Sequence, residues 1–168
     1  MSNTVLVLRV DHASESIARD IHTVQMSAYA QEAKLLRAID FPPLRCTVDD
    51  IRTSYEEFWA AYYGEQLVGS ISVQSARGQV SKSICSLVVA PAFQRRGIAK
   101  QLMAKILHLY GGHGLTVQTG ATNVPALNLY TQFGFLEYRR WPVGHEPLEL
   151  VELRYLPTVS GPVHQNAA

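Results

Sequence analysis

The sequence predicts a layered α/β (α+β) domain in which a mixed central sheet carries helices on both faces. Three observations lead there. Strand-like and helix-like segments alternate in the order β-α-α-β-β-β-α-β-α-β-β. One segment, residues 115–120, follows a strand and a crossover helix, so it is expected parallel to its neighbour within an otherwise antiparallel run. The length, 168 residues, suits one domain that buries a core without metals or disulfides.

Each element has its own reason. "TVLVLRV" (4–10) is rich in β-branched residues and reads as a strand buried on both faces. In "SESIARDIHTVQMSA" (14–28), Ile17, Ile21, Val24 and Ala28 recur at helical spacing, with Ser14 as the expected N-cap. "QEAKLLRAI" (31–39) reads as a second short helix. "DFPPLRCTVDD" (40–50) reads as a stiff connector, because consecutive prolines donate to neither helix nor ladder. "EFWAAYYGEQLVGSISVQ" (57–74) is a hairpin about "YGEQ", with Leu67, Gly69, Ile71 and Val73 on one face. A turn at Gly78 leads into the strand "SICSLVVA" (83–90).

A helix starts at Ile98, with an apolar stripe of Ile98, Leu102, Ile106 and Leu109, and "GGHG" (111–114) ends it. After the strand "LTVQTGA" (115–121), Pro125 marks another helix start. Ala126, Leu129, Tyr130 and Phe133 share its face, and Gly134 stops it. "LEYRRWPV" (136–143) and "LELVELRYL" (148–156) complete the sheet. We expect one domain over 1–156 and a flexible tail over 157–168.

Composition narrows the function. With 47% hydrophobic and 17% charged residues the chain reads as globular, and a net charge of +1 gives no global attraction for nucleic acid or an anionic membrane. Neither partner is expected. Cys46 and Cys85 form no C-x-x-C pair, and "VLVLRV" is too short for a signal or a span, so a cytoplasmic setting is expected. The six histidines show no metal-ligand spacing, and the chain has neither a G-x-x-x-x-G-K-[ST] loop nor a G-x-G-x-x-G fingerprint. No metal is expected.

The stretch "VVAPAFQRRGIAKQLM" (88–103) is the most informative. A helix start leaves main-chain N–H groups unpaired and positively polarised. Arg95 and Arg96 add charge there, and Gly97 lets a ligand approach the main chain closely. The junction reads as a phosphate seat. Taken alone, the two arginines fit a solvated basic turn better.

The same stretch resembles motif A of the GNAT N-acetyltransferases, whose coenzyme loop reads Q/R-x-x-G-x-G/A, here Gln94, Gly97 and Ala99. "NVPALNLYTQFGF" (123–135) is similar to their motif B, with Asn123, Ala126, Tyr130 and the pair Gly134 and Phe135 in order. Two motifs in register outweigh the basic-turn reading. The resemblance extends over roughly residues 4–156 and implies a sheet whose parallel strand pair splays apart, with acetyl-CoA lodged in the gap. It implies pantetheine along the main chain of Leu87, Val88 and Val89, and the diphosphate on the N–H groups from Arg95 through Arg96, Gly97, Ile98 and Ala99 to Lys100. Ile84 and Leu87, apolar at odd spacing, hint at a bulge there.

The resemblance further implies direct transfer of acetyl to an amine. Tyr130 matches the family's general acid, and Asn123 matches a position that contacts the coenzyme or sets the adjoining loop. Gln118 stands where some protein-acetylating members carry a basic glutamate, which favours a small amine or amino-acid-like acceptor. The base is then sought among Glu32, Glu56 and Glu57, with Glu32 preferred because the first helices of this fold cap the acceptor pocket. Taken alone, Tyr130 fits a core stripe and Glu32 a solvated helix. Tyr29, Trp59, Tyr62 and Tyr63 fit either the acceptor pocket or the core, and Cys85 a small residue near the cleft. A non-catalytic acyl-CoA-binding module, a protein N-acetyltransferase and a homodimer are all compatible with the same resemblance.

Overall fold

A computed structural model describes residues 4–75, 78–144 and 148–158. Its elements are β1 (Val5–Val10), α1 (Glu15–Leu36), α2 (Val48–Arg52), β2 (Glu57–Tyr63), β3 (Gln66–Ser75), β4 (Lys82–Val89), α3 (Ile98–Tyr110), β5 (Leu115–Gly120), α4 (Val124–Gln132), β6 (Leu136–Val143) and β7 (Leu148–Tyr155). The strands form one sheet in the order β1-β2-β3-β4-β5-β7-β6, antiparallel except where β4 meets β5. The mixed sheet is as expected. Among the described residues no helix is long and apolar enough to cross a membrane. The tail expected from residue 157 lies outside the described residues from 159 onward.

Alternation along β2 separates two cores. Phe58 and Ala60 pack with Ala18, Ile21 and Val24 of α1 and with Ile51 of α2; Trp59 and Ala61 pack with Ile98, Leu102 and Ile106 of α3 and with Tyr130 of α4. Helices therefore cover both faces. In β3 every residue from Leu67 to Val73 is buried.

Several details differ from the sequence reading. Residues 14–28 and 31–39 are not two helices, because nothing between them breaks the pattern; one helix runs to Leu36 and stops where Arg37 turns left-handed (φ 52°). The second helix is Val48–Arg52, inside the expected connector, and is set by a capping box between Thr47 and Asp50. The prolines before it form a short 3-10 turn, Pro42–Arg45. Ser14 occupies the N-cap position without bonding the helix amides; its hydroxyl meets that of Ser16 instead, at 3.2 Å. Edge strand β1 exposes Leu6 and Leu8, so it is buried on one face only. A register shift at Val68 turns Leu67 toward α1, away from Ile71 and Val73. Leu109 is exposed and Met103 buried in its place.

Candidate functional site

Two irregularities open the centre of the sheet. β4 pairs with β5 only at Lys82, Ser83 and Ile84, opposite Leu115, Thr116 and Val117, and a Ser83 to Thr116 hydroxyl bond (2.8 Å) closes the apex. Beyond it the strands diverge, each still paired on its outer side, β4 to β3 and β5 to β7. At the point of divergence Ser86 pairs with Ser72 and Ile84 with Val73, which leaves Cys85 as an extra residue. The bulge suggested by the sequence is there. The Ala90 amide donates to Val68 O (2.8 Å), so alternation turns the main chains of Val89 and Leu87 toward the gap. One of those groups, the Val89 carbonyl, accepts from the Gln94 side chain at 3.2 Å.

The mouth of the gap is lined by main chain. Arg95 (φ 62°) and Gly97 (φ 77°) are both left-handed, and alternation of this kind turns successive N–H groups into one concavity. The first intrahelical bond of α3 runs from Gln101 to Gly97 O (3.0 Å). Among the described residues the amides of 95–100 donate to no acceptor. A Cβ built on Gly97 meets nothing within 4 Å, so that side of the loop faces open space.

Side chains line the other wall. Ala28, Gln31, Glu32 and Leu35 recur along one face of α1 and enclose, with α4 and the loop before α3, a cleft of about 560 Å³. That approach is close: a Cβ on Gly120 would fall 2.5 Å from Leu36 Cδ2. Asn123 caps α4 by accepting from the Ala126 amide (3.3 Å) and donates to the Glu32 carboxylate (3.2 Å), tying the two walls together. Burial pushes the Glu32 carboxyl up, against the Asn123 bond that lowers it. Tyr130, 6% exposed, has its phenol pushed well above the usual value by burial, then by the charges of Glu32 and Tyr29. It stays protonated throughout the physiological range.

Comparison with known proteins decides what this arrangement is. The model of the Acetyltransferase (GNAT) family matches residues 19–135. The chain belongs to the GNAT acetyltransferase family. A curated relative, UPF0157 protein YqkA of Bacillus subtilis (strain 168), is 35% identical over 127 residues, 75% of this chain. The match spans only 36% of that protein's length. The ribosomal-protein-S18-alanine N-acetyltransferase of Escherichia coli superposes with a TM-score of 0.72 at 12% identity, covering 98% of this chain and 99% of that one. The PaiA N-acetyltransferase of Thermoplasma acidophilum, solved with coenzyme A, gives a TM-score of 0.68 at 13% identity over 90% and 99%. At such identities these two structures attest the shared GNAT fold.

Within this GNAT cleft the residues singled out from the sequence come together. Glu32, Leu87, Val88, Val89, Gln94, Arg95, Gly97, Ile98, Ala99, Lys100, Asn123 and Tyr130 all line it. Arg96 does not; it is exposed, with its guanidinium 5.1 Å from the Phe93 ring centre. Glu57 leaves the list of candidate bases. It points to the α3 face, where Lys82 (2.6 Å) and the Tyr110 hydroxyl (2.5 Å) hold its carboxylate, and although burial pushes it up these partners keep it low. Trp59 is core. Sequence reasoning missed Gln31, which accepts from Gln94 at 2.6 Å and links α1 to the loop before α3. The signal existed as the spacing 28, 31, 32, 35, and splitting α1 into two helices concealed it.

Proposed function

We propose that this GNAT protein transfers acetyl from acetyl-CoA directly to the nitrogen of a small amine, with both substrates bound together. One observation carries the reading: free main-chain amides at 95–100, the unpaired edge of β4, Tyr130 and Glu32 converge on one cleft. Acetyl-CoA supplies the activated acyl group as a thioester. The amides from Arg95 to Lys100, with the Arg95 and Lys100 charges, bind its diphosphate. The open main chain of Leu87 and Val89 orients the pantetheine as an added strand, and a free N–H there polarises the thioester carbonyl.

Proton movements fall to two side chains. The Tyr130 phenol donates its proton to the departing sulfur, and burial keeps that proton available at alkaline pH. Glu32 accepts a proton from the acceptor's ammonium, which leaves the neutral nitrogen that attacks the thioester carbon, and its raised pKa brings it closer to the operating range of a base. Asn123 holds Glu32 in place while capping the helix that carries Tyr130. Gln118 cannot serve as a base in the position where a glutamate would.

An assay that follows free thiol over a panel of amines tests this, with calorimetry of coenzyme binding beside it. Release with at least one amine is expected. Coenzyme binding with no release from any amine would replace this reading by a non-catalytic acyl-CoA-binding module.

A further inference from the structure

Beside the bulge of β4, outside the cleft lining, lies one carboxylate without a partner among the described residues. Glu56 lies half-buried just before β2; its amide is fixed by the Ser54 hydroxyl at 3.0 Å. Among the described residues its carboxylate accepts no hydrogen bond and enters no ion pair. The strand register locates it. Glu57 pairs with Val73 and Val73 with Ile84, so Glu56 sits two strand spacings from the β4 bulge, about 10 Å. By alternation it shares the sheet face of Phe58, the face that α1 covers.

That face is open over the bulge. Cys85 is exposed, although β4 is a central strand whose flanking residues Ile84 and Ser86 are buried. The Glu56 charge reaches the Cys85 thiol, and it also reaches Tyr29, which in turn lies within range of Glu32 and Tyr130. Glu56 lines a second hollow, of about 420 Å³, with Arg9, Asp11 and His12, and the Arg9 guanidinium there faces the Glu57 carboxylate at 3.9 Å. Two arginines of the neighbouring α2 region are engaged elsewhere: Arg45 by Asp40, and Arg52 by Asp49 at 3.3 Å. A free carboxylate at this distance from the bulge attracts a second cation and repels a carboxylate.

Resting on the acetyltransferase reading, we propose that the acceptor is a dicationic amine: one nitrogen reacts beside Glu32 and Tyr130 while a second, protonated nitrogen is held by Glu56 across the bulge at Cys85. A zwitterionic amino acid, whose carboxylate would meet Glu56, is discriminated against. Glu56 is thus a specificity residue and takes no proton in the reaction.

Matched acceptors test this. Diamines of four to eight carbons are compared with monoamines and terminal amino acids of the same lengths, by thiol release, in the native protein and in Glu56→Gln and Glu56→Asp. In the native protein the best diamine should exceed its monoamine in kcat/KM by about tenfold, with the amino acid lowest. Glu56→Gln should bring that ratio near one, the change appearing in KM, and Glu56→Asp should keep part of it. Acetyl-CoA binding by calorimetry reports that each variant is folded. Acetylation of monoamines and diamines at equal efficiency, or a diamine preference that survives Glu56→Gln, overturns the inference and leaves acetyl transfer standing. Coenzyme binding without acetylation of any amine overturns both.

Discussion

The two walls of the cleft are built from different material. The proposed coenzyme wall is main chain from one continuous segment, residues 87–100, whereas the proposed acceptor wall is side chains gathered from α1 and α4. Main-chain recognition requires conformations that few residues adopt, so it writes itself into a short local motif. Side-chain recognition needs only that a helix face and a strand register meet. The first wall therefore states the family, and the second carries whatever distinguishes this member.

The comparison breaks most visibly at Tyr130, which belongs to the α4 side of the cleft yet, in the proposed reaction, acts on the coenzyme's sulfur. Tyr130→Phe should lower kcat by about a hundredfold or more, in the range of a lost general acid, while acetyl-CoA affinity measured by calorimetry changes little. The deficit should deepen toward alkaline pH, where no other donor re-protonates the sulfur. An unchanged kcat would return Tyr130 to a packing role beside Phe135, whose ring centre is 5.7 Å away.

Gly97 sharpens the contrast from the main-chain side. At φ 77° a β-branched residue is strained by about 1–3 kcal/mol, and its side chain would also enter the space into which the free amides point. Gly97→Val should therefore weaken coenzyme binding between roughly tenfold and a hundredfold. The acceptor preference in any remaining activity should persist. Coenzyme affinity equal to the native value would show that the loop is not the diphosphate site.

Asn123 joins the two walls, and its variants separate its two bonds. Asn123→Ala removes the cap of α4 and should cost about 1 kcal/mol of stability in denaturant unfolding. Asn123→Asp keeps an acceptor for the Ala126 amide but sets a second carboxylate against Glu32, so stability should largely recover while the pH at which activity rises moves upward. If both variants lose stability equally, the cap is not what Asn123 contributes.

What was legible in the sequence follows the same division. Gln94, Gly97 and Ala99 in their spacing, and Asn123 to Phe135 in theirs, sufficed for the cleft, and the odd spacing of Ile84 and Leu87 marked the bulge at Cys85. The extent of α1 was legible but misread: Ala28 to Gln31 carries no breaker and no cap, so the helical spacing continues to Leu36, where the helix packs against β3 and β4. Glu57 and Glu56 are adjacent in sequence and opposite in environment. Strand alternation sends the first to Lys82 and Tyr110 and the second to the face of α1, a difference that appears only once the register of β2 is known.

Glu32 yields the smallest effect, in stability. Its carboxyl is pushed up from the ordinary 4.5 mainly by burial, so the folded protein holds the proton more tightly than the unfolded chain does. The protonated group's contribution to folding is then complete below pH 4.5 and is lost as pH rises through the raised folded value. Gln has the same shape, retains an oxygen for the Asn123 amide and never charges. Glu32→Gln should consequently unfold at a higher temperature than the native protein at neutral pH, and the two should converge in acid. A variant that melts lower at neutral pH would mean that the native carboxylate is held by more than Asn123, and that the acceptor wall contains a donor the Glu32 hydrogen bond does not account for.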